Sequence, residues 1–251
     1  MIRPTLLALL LVPVAASGCG GGDDGDDATV LTVSAAASLT DAFEAYGEDL
    51  AGEQRFSFAG SDELAAQIRQ GARPDVFASA NRTYPEELAA AGLVESSVTF
   101  ARNRLVIAVS ADSGIGSLAD LAQPDLDLVS AAEGVPVGDY TRELLGRLPD
   151  DEADAILANV RSEESDVKGV IGKVAQGAAD AGFVYSSDIA AAADEVREVP
   201  IPARLEPEVA YGIAVVSHAP NPEGAREFVD GLLEGAGAEA LTAAGFLPPP
   251  K

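Results

Sequence analysis

The sequence has no tryptophan, a single cysteine, a single histidine and only 5% aromatic residues in 251. One cysteine, Cys19, excludes an intrachain disulfide. Cys19 and His218 alone give too few nitrogen and sulfur ligands for a zinc-type centre, and no His, Cys, Asp or Glu cluster has ligand spacing. The lone histidine, in the stretch SHAPNPEGA, reads as a surface residue in a loop before a helix, and no G-x-S-x-G accompanies it. A serine-hydrolase triad is therefore not expected, nor is any enzyme. Basic residues are scarce as well: 16 Lys and Arg face 41 Asp and Glu, a net charge of −25. Phosphate backbones attract basic proteins, so nucleic acid is not an expected partner. What remains is 47% hydrophobic residues, mostly Ala, Val and Leu, in a chain long enough for one large domain or two modest ones.

Residues 1–18 read as a targeting segment. Arg3 supplies its positive start and Leu6 to Ala16 an apolar run too short for a confident membrane span. The "ASGC" that ends it resembles the lipobox of bacterial lipoproteins, which implies a lipid on Cys19 and a membrane anchor. After Cys19 comes "GGGDDGDDAT", and residues 19–28 read as a flexible acidic tether without capacity to pack.

From Val30 short apolar runs alternate with helical patterns, the signature of an α/β fold with mainly parallel sheets flanked by helices. Strands are expected at 30–34, 54–58, 76–80, 105–110, 126–130, 182–185, 196–199 and 211–217. Helices are expected at 39–50, 62–70, 85–91, 140–148, 167–176, 222–233 and 236–243. Leu39, Ala42, Phe43, Tyr46 and Leu50 recur at helical spacing on one face. "RNRLVIAVS" is long for a single strand and suits a segment that leaves one lobe for another. The expected division is residues 29–102 with 219–251 in lobe I and 103–218 in lobe II, joined by two crossings.

Four corners share a composition. "LTVSAAASLTDAFE" collapses from an apolar run into alanines and then Ser38; "FSFAGSDELAAQI" passes through Gly60 and Ser61; "AAEGVPVGDYTREL" and "RSEESDVKGVIGKV" turn through small residues where a helix begins. A helix N-terminus carries unpaired N–H groups and a partial positive charge, which together form an anion site without Lys or Arg. A fully deprotonated tetrahedral oxyanion has only acceptors, so hydroxyl and N–H donors suit it. Exposed carboxylates elsewhere are screened beyond about 8–10 Å. Taken singly, each corner reads equally as an ordinary capped helix.

In order and spacing, "AAASLTDAF", "FAGSDELAAQI", "RPDVFASAN", "GVPVGDYTREL", "SDVKG" and "GFVYSSD" resemble the substrate-binding proteins of molybdate ABC importers, from about Leu31 to Phe246. The resemblance implies a two-lobed periplasmic-binding-protein fold of type II that captures molybdate, and tungstate too, and delivers it to a membrane permease. It also implies a monomer without a cofactor. Carried over position by position, the ligand contacts fall on Ser38, Ser61, Val137, Val167 and Tyr185. They hold the metal as its oxyanion, through hydrogen bonds from hydroxyls and backbone, with no direct bond to the metal. Val137 stands where the family commonly has Ala, and "GSDE" where it has a richer Ser run; Asp62 and Glu63 are expected to face outward. Sulfate and phosphate remain alternative ligands, since sulfate too asks for donors alone while phosphate often keeps a proton and asks for an acceptor.

Overall fold

The computed structural model of the chain describes residues 30–250. The expected leader, Cys19 and the acidic tether lie outside the described residues.

The chain opens with β1 (Leu31–Ala36), a 3-10 turn (Ala37–Leu39), α1 (Thr40–Glu48), β2 (Gln54–Ala59), α2 (Ser61–Arg69), β3 (Val76–Ser79), α3 (Thr83–Ala90) and β4 (Val98–Asn103). It continues with β5 (Leu105–Ser110), β6 (Leu128–Ala131), α4 (Pro136–Leu145), α5 (Asp150–Ala158), β7 (Val160–Glu164), α6 (Val167–Ala175), β8 (Ala181–Tyr185), α7 (Ser186–Ala191) and β9 (Val196–Pro200). Then β10 (Val209–Val215), α8 (Pro222–Glu234) and α9 (Ala236–Ala243) close it. The strands form two five-stranded sheets, ordered β2-β1-β3-β10-β4 and β7-β6-β8-β5-β9. Every residue of β3, β6, β8 and β10 is buried. Helices cover both faces of each sheet, so these strands read as unbroken apolar runs rather than alternating ones.

The "RNRLVIAVS" segment is two strands. β4 ends at Asn103 in the first sheet and β5 begins at Leu105 in the second, with Arg104 alone between them. The return crossing runs through residues 201–208, not at 218 as expected, because β10 pairs with β3 and β4 in the first sheet. The C-terminal helices then complete lobe I. α8 starts at Pro222 behind an Asn221 side chain that accepts the Gly224 N–H, and it buries Ala225, Phe228 and Leu232 at helical spacing. Phe228 meets Phe43 of α1 edge-on at 5.2 Å. Leu247 exchanges two backbone hydrogen bonds with Arg102. Gly235 is the junction between α8 and α9.

The sheets are mixed rather than mainly parallel. In each, the strands away from the crossings pair in parallel (β1 with β2 and β3; β6 with β7 and β8). The strands next to the crossings pair antiparallel (β10 with β3 and β4; β5 with β8 and β9). A strand arriving directly from the other lobe needs no helical return and enters the sheet in the opposite direction. Four of these elements escaped the sequence pattern. The edge strand β7, "VRSEE", has no fully buried residue, α5 buries only Ile156, β4 begins exposed at Val98, and α7 is only six residues long.

Candidate functional site

The two parallel halves point the carboxyl ends of their strands at one another, the place where open α/β sheets bind ligands. The 3-10 turn follows β1, α2 follows β2, α4 follows β6, α6 follows β7, and Tyr185 is the last residue of β8. All five residues expected to contact ligand, Ser38, Ser61, Val137, Val167 and Tyr185, line a single small pocket there.

Its local chemistry answers whether the corners merely cap their helices. Ser38 and Ser61 lie inside the first turn rather than at the cap, and the cap positions are Ala36, Gly60 and Val135 at three of the four ends. None of those three ends has a side-chain cap bond. Their first N–H groups, Val137 among them, have no helical partner and face the pocket's end of the helix. Only α6 is capped, by Asp166, whose carboxylate accepts the Gly169 N–H at 2.9 Å. Asp166 is also the one charged residue on the lining among the described residues.

The hydroxyls are oriented by neighbours. The Ala80 N–H donates to Ser61 Oγ at 3.0 Å, which leaves the Ser61 proton free for the pocket. Ser38 Oγ lies 3.0 Å from the phenol of Tyr211 in β10; with the phenol donating, the Ser38 proton is free as well. Tyr185 is fully buried, and its hydroxyl makes no well-formed hydrogen bond, the Tyr211 phenol beside it being only a weak partner. Its ring packs edge-on against Tyr211 at 5.7 Å, so the two sheets meet through these phenols. Burial pushes both phenols well above their ordinary pKa, so each keeps the proton it would donate. Close approach also dictates two glycines. A methyl on Gly138 would lie 2.3 Å from the Ala132 carbonyl oxygen, and one on Gly60 would lie 2.4 Å from that of Ser165 in the other lobe. The lobes are therefore closed on each other.

Sequence reasoning missed several contributors. Tyr211 read only as strand. Asn103, at the first crossing, donates to Ser187 Oγ at 2.9 Å and accepts from Ser186 Oγ at 3.1 Å, which ties the crossing to the residues after Tyr185. Glu63 is exposed as expected, but Asp62 is half-buried and its Oδ1 is buried without a partner, because the second lobe folds over the start of α2. Asp62 is not on the pocket lining. His218 is exposed in the loop before α8, at φ 61°.

Asp188 lies behind the site. It is buried, accepts the Tyr185 N–H at 3.1 Å through Oδ2, and leaves Oδ1 without a hydrogen bond. Burial raises its pKa to about 7, with Asp41 and Asp166 adding to the rise while Lys168 and the Tyr185 N–H oppose it. Unfolded, the same group gives up its proton near pH 3.8. Between these values the folded state holds more protons, so this group's contribution to stability is complete below about pH 4 and declines as pH rises toward 7. Asp188→Asn is expected to remove that part of the slope. Thermal unfolding of both proteins at pH 5 and pH 8 checks it, and an identical pH dependence in the two would exclude Asp188 as the source.

The sequence pattern of the bacterial extracellular solute-binding proteins matches residues 31–247. The chain belongs to that family. Within it, the chain is 40% identical over 227 residues to the molybdate-binding protein ModA of Mycobacterium tuberculosis, covering 87% of this chain and 85% of that one. The periplasmic molybdate-binding protein of Azotobacter vinelandii superposes with a TM-score of 0.75 at 25% identity, over 88% of this chain and all of that one. The sulfate-binding protein SubI of M. tuberculosis shares the fold at a TM-score of 0.76 and 16% identity, over 88% and 87% of the two chains. This solute-binding protein thus stands among relatives named for molybdate, on a scaffold that also serves sulfate.

Proposed function

We propose that this solute-binding protein captures molybdate, and tungstate alike, outside the cytoplasm for delivery to the permease of an ABC importer, held near the membrane by a lipid on Cys19. The observation that carries the ligand reading is the Tyr185 hydroxyl, a fully buried donor without a well-formed hydrogen bond, on a lining that also holds Ser38 and Ser61. A buried hydroxyl left poorly paired is costly, and an acceptor placed in the pocket relieves it. An oxyanion there meets the hydroxyls of Ser38, Ser61 and Tyr185 and the backbone N–H groups of Val137 and Val167. Three uncapped helix ends supply favourable dipoles without a single Lys or Arg on the lining. Closure of the lobes excludes water, and each donor bond strengthens in the lower dielectric.

Thermal unfolding with molybdate, tungstate, sulfate, phosphate or no added anion tests the reading. Ligand at 100 times its Kd adds about 2.7 kcal/mol of stability, a readily visible rise in midpoint. A rise with molybdate and tungstate alone supports the proposal. A rise with sulfate or phosphate instead keeps the oxyanion pocket and replaces its ligand, and no rise with any of the four removes the reading.

A further inference from the structure

Among the bonds between the lobes, two side-chain bonds stand one beside each donor helix of the second lobe. Lys168, the residue after the donor Val167 in α6, reaches Oδ2 of Asp41 in α1 of the first lobe at 3.0 Å. From its own lobe the buried Oδ1 of Asp188 lies 3.9 Å from the same ammonium, so Lys168 sits between a carboxylate of each lobe. On the other side, the Tyr84 hydroxyl in α3 of the first lobe donates to the carbonyl of Gly134, two residues before α4 begins. The Gly134 turn is itself fixed: its φ is 89°, a conformation that favours glycine, and its N–H donates to Asp139 Oδ1 at 2.8 Å. Neither Lys168 nor Tyr84 lines the pocket.

We propose that Lys168 and Tyr84 are a pair of interlobe latches, positioning residues that set ligand affinity by holding α6 and α4, and with them the N–H groups of Val167 and Val137, against the first lobe. The proposal rests on the reading that an oxyanion fills the pocket between those helices. Its physical basis is where each bond acts. An ion pair as exposed as Lys168–Asp41, with side chains one-third and one-half accessible, contributes little to overall folding. Spanning a cleft, the same pair exists only in the closed form, so its whole worth appears in the open–closed equilibrium. The apparent Kd scales inversely with the population of the closed, binding-competent form. The two latches are unlike in chemistry: Lys168–Asp41 weakens with salt, whereas Tyr84–Gly134 is a neutral hydrogen bond. Burial foremost, and then the charges of Asp62 and Asp139, push the Tyr84 phenol up to about 12, so it remains a donor across the physiological range.

The test uses the mature chain with Lys168→Met, Asp41→Ala, the two combined, and Tyr84→Phe. Molybdate affinity and dissociation rate are measured by stopped flow at low and high salt, ligand-free compaction by small-angle X-ray scattering, and ligand-free stability by thermal unfolding. Each single variant is expected to raise Kd roughly 3–10-fold, mainly through faster dissociation, with a larger ligand-free radius of gyration and at most a small drop in the ligand-free midpoint. The Lys168→Met/Asp41→Ala combination is expected to lose no more than the worse single variant, and Lys168→Met to lose salt sensitivity. Unchanged kinetics and radius, or fully additive losses in the combination, overturn the latches. If the wild-type protein binds none of the oxyanions, the pocket reading fails on its own. The scattering result still decides whether the bonds hold the lobes together: an unchanged radius in all variants sinks the proposal.

Discussion

Gly60→Ala is expected to weaken molybdate binding about 100-fold, close to 2.7 kcal/mol, while the ligand-free protein stays folded with its lobes opened. Gly60 is the cap residue of α2, at φ −59° and ψ 137°, a conformation any residue adopts without strain. Within its own lobe the added methyl meets only Asp62 Oδ1, at 2.6 Å, and that side chain can turn aside. Across the cleft it meets the Ser165 carbonyl oxygen at 2.4 Å, and backbone cannot move without separating the lobes. The cost therefore falls on the closed state alone, and a ligand that needs closure bears it in full. Calorimetric titration with molybdate, beside unfolding of the ligand-free protein, separates the outcomes. Wild-type affinity would show that Gly60 and Ser165 do not have to approach in the bound state. A lowered midpoint with an unchanged ligand-free radius of gyration would place the clash inside the first lobe.

The same contact explains which parts of this site were legible in the sequence. Close approach of backbone to backbone, or of backbone to an anion, demands small residues, and that demand survives as composition. The alanines before Ser38, the Gly60–Ser61 step and Gly138 in the first turn of α4 stand out in one dimension, and at the two glycines even a methyl collides. Strand and helix periods were equally visible where both faces or one stripe are buried, as in β5 or α1. What a neighbour from the far end of the chain contributes leaves no local trace. Tyr211 read as one more strand residue, since its role at Ser38 depends on β10 returning to the first sheet across 173 positions of sequence. The same return misplaced the second crossing, because Val209–Val215 is as apolar as a second-lobe strand would be. Asp62 was expected to face water, as the second residue of a helix normally does; the opposite lobe covers it. Lys168 and Tyr84 carry no pattern at all, for a latch is defined by what it touches.

Tyr185→Phe is expected to move two observables in opposite directions, which sets it apart from ordinary damage to a core. In the ligand-free protein the phenol is desolvated and has at best a weak partner in Tyr211, so removing its oxygen relieves a poorly satisfied group. The ring itself stays, with its edge contacts to Tyr211 at 5.7 Å and Tyr140 at 6.5 Å. Ligand-free stability should hold or rise by up to about 1 kcal/mol. With an oxyanion bound the same oxygen is a donor to a charged acceptor, and its loss should weaken affinity by about 1.5–3 kcal/mol, some tenfold to beyond a hundredfold. Tyr185→Leu provides the contrast: it removes ring and hydroxyl together, leaves a void between the lobes, and should lower both stability and affinity. Unfolding midpoints and molybdate titrations of the three proteins decide the matter. Tyr185→Phe with wild-type affinity would take the phenol out of the anion's coordination. Tyr185→Phe with a lowered ligand-free midpoint would mean that the hydroxyl already has a well-formed hydrogen bond before any anion arrives.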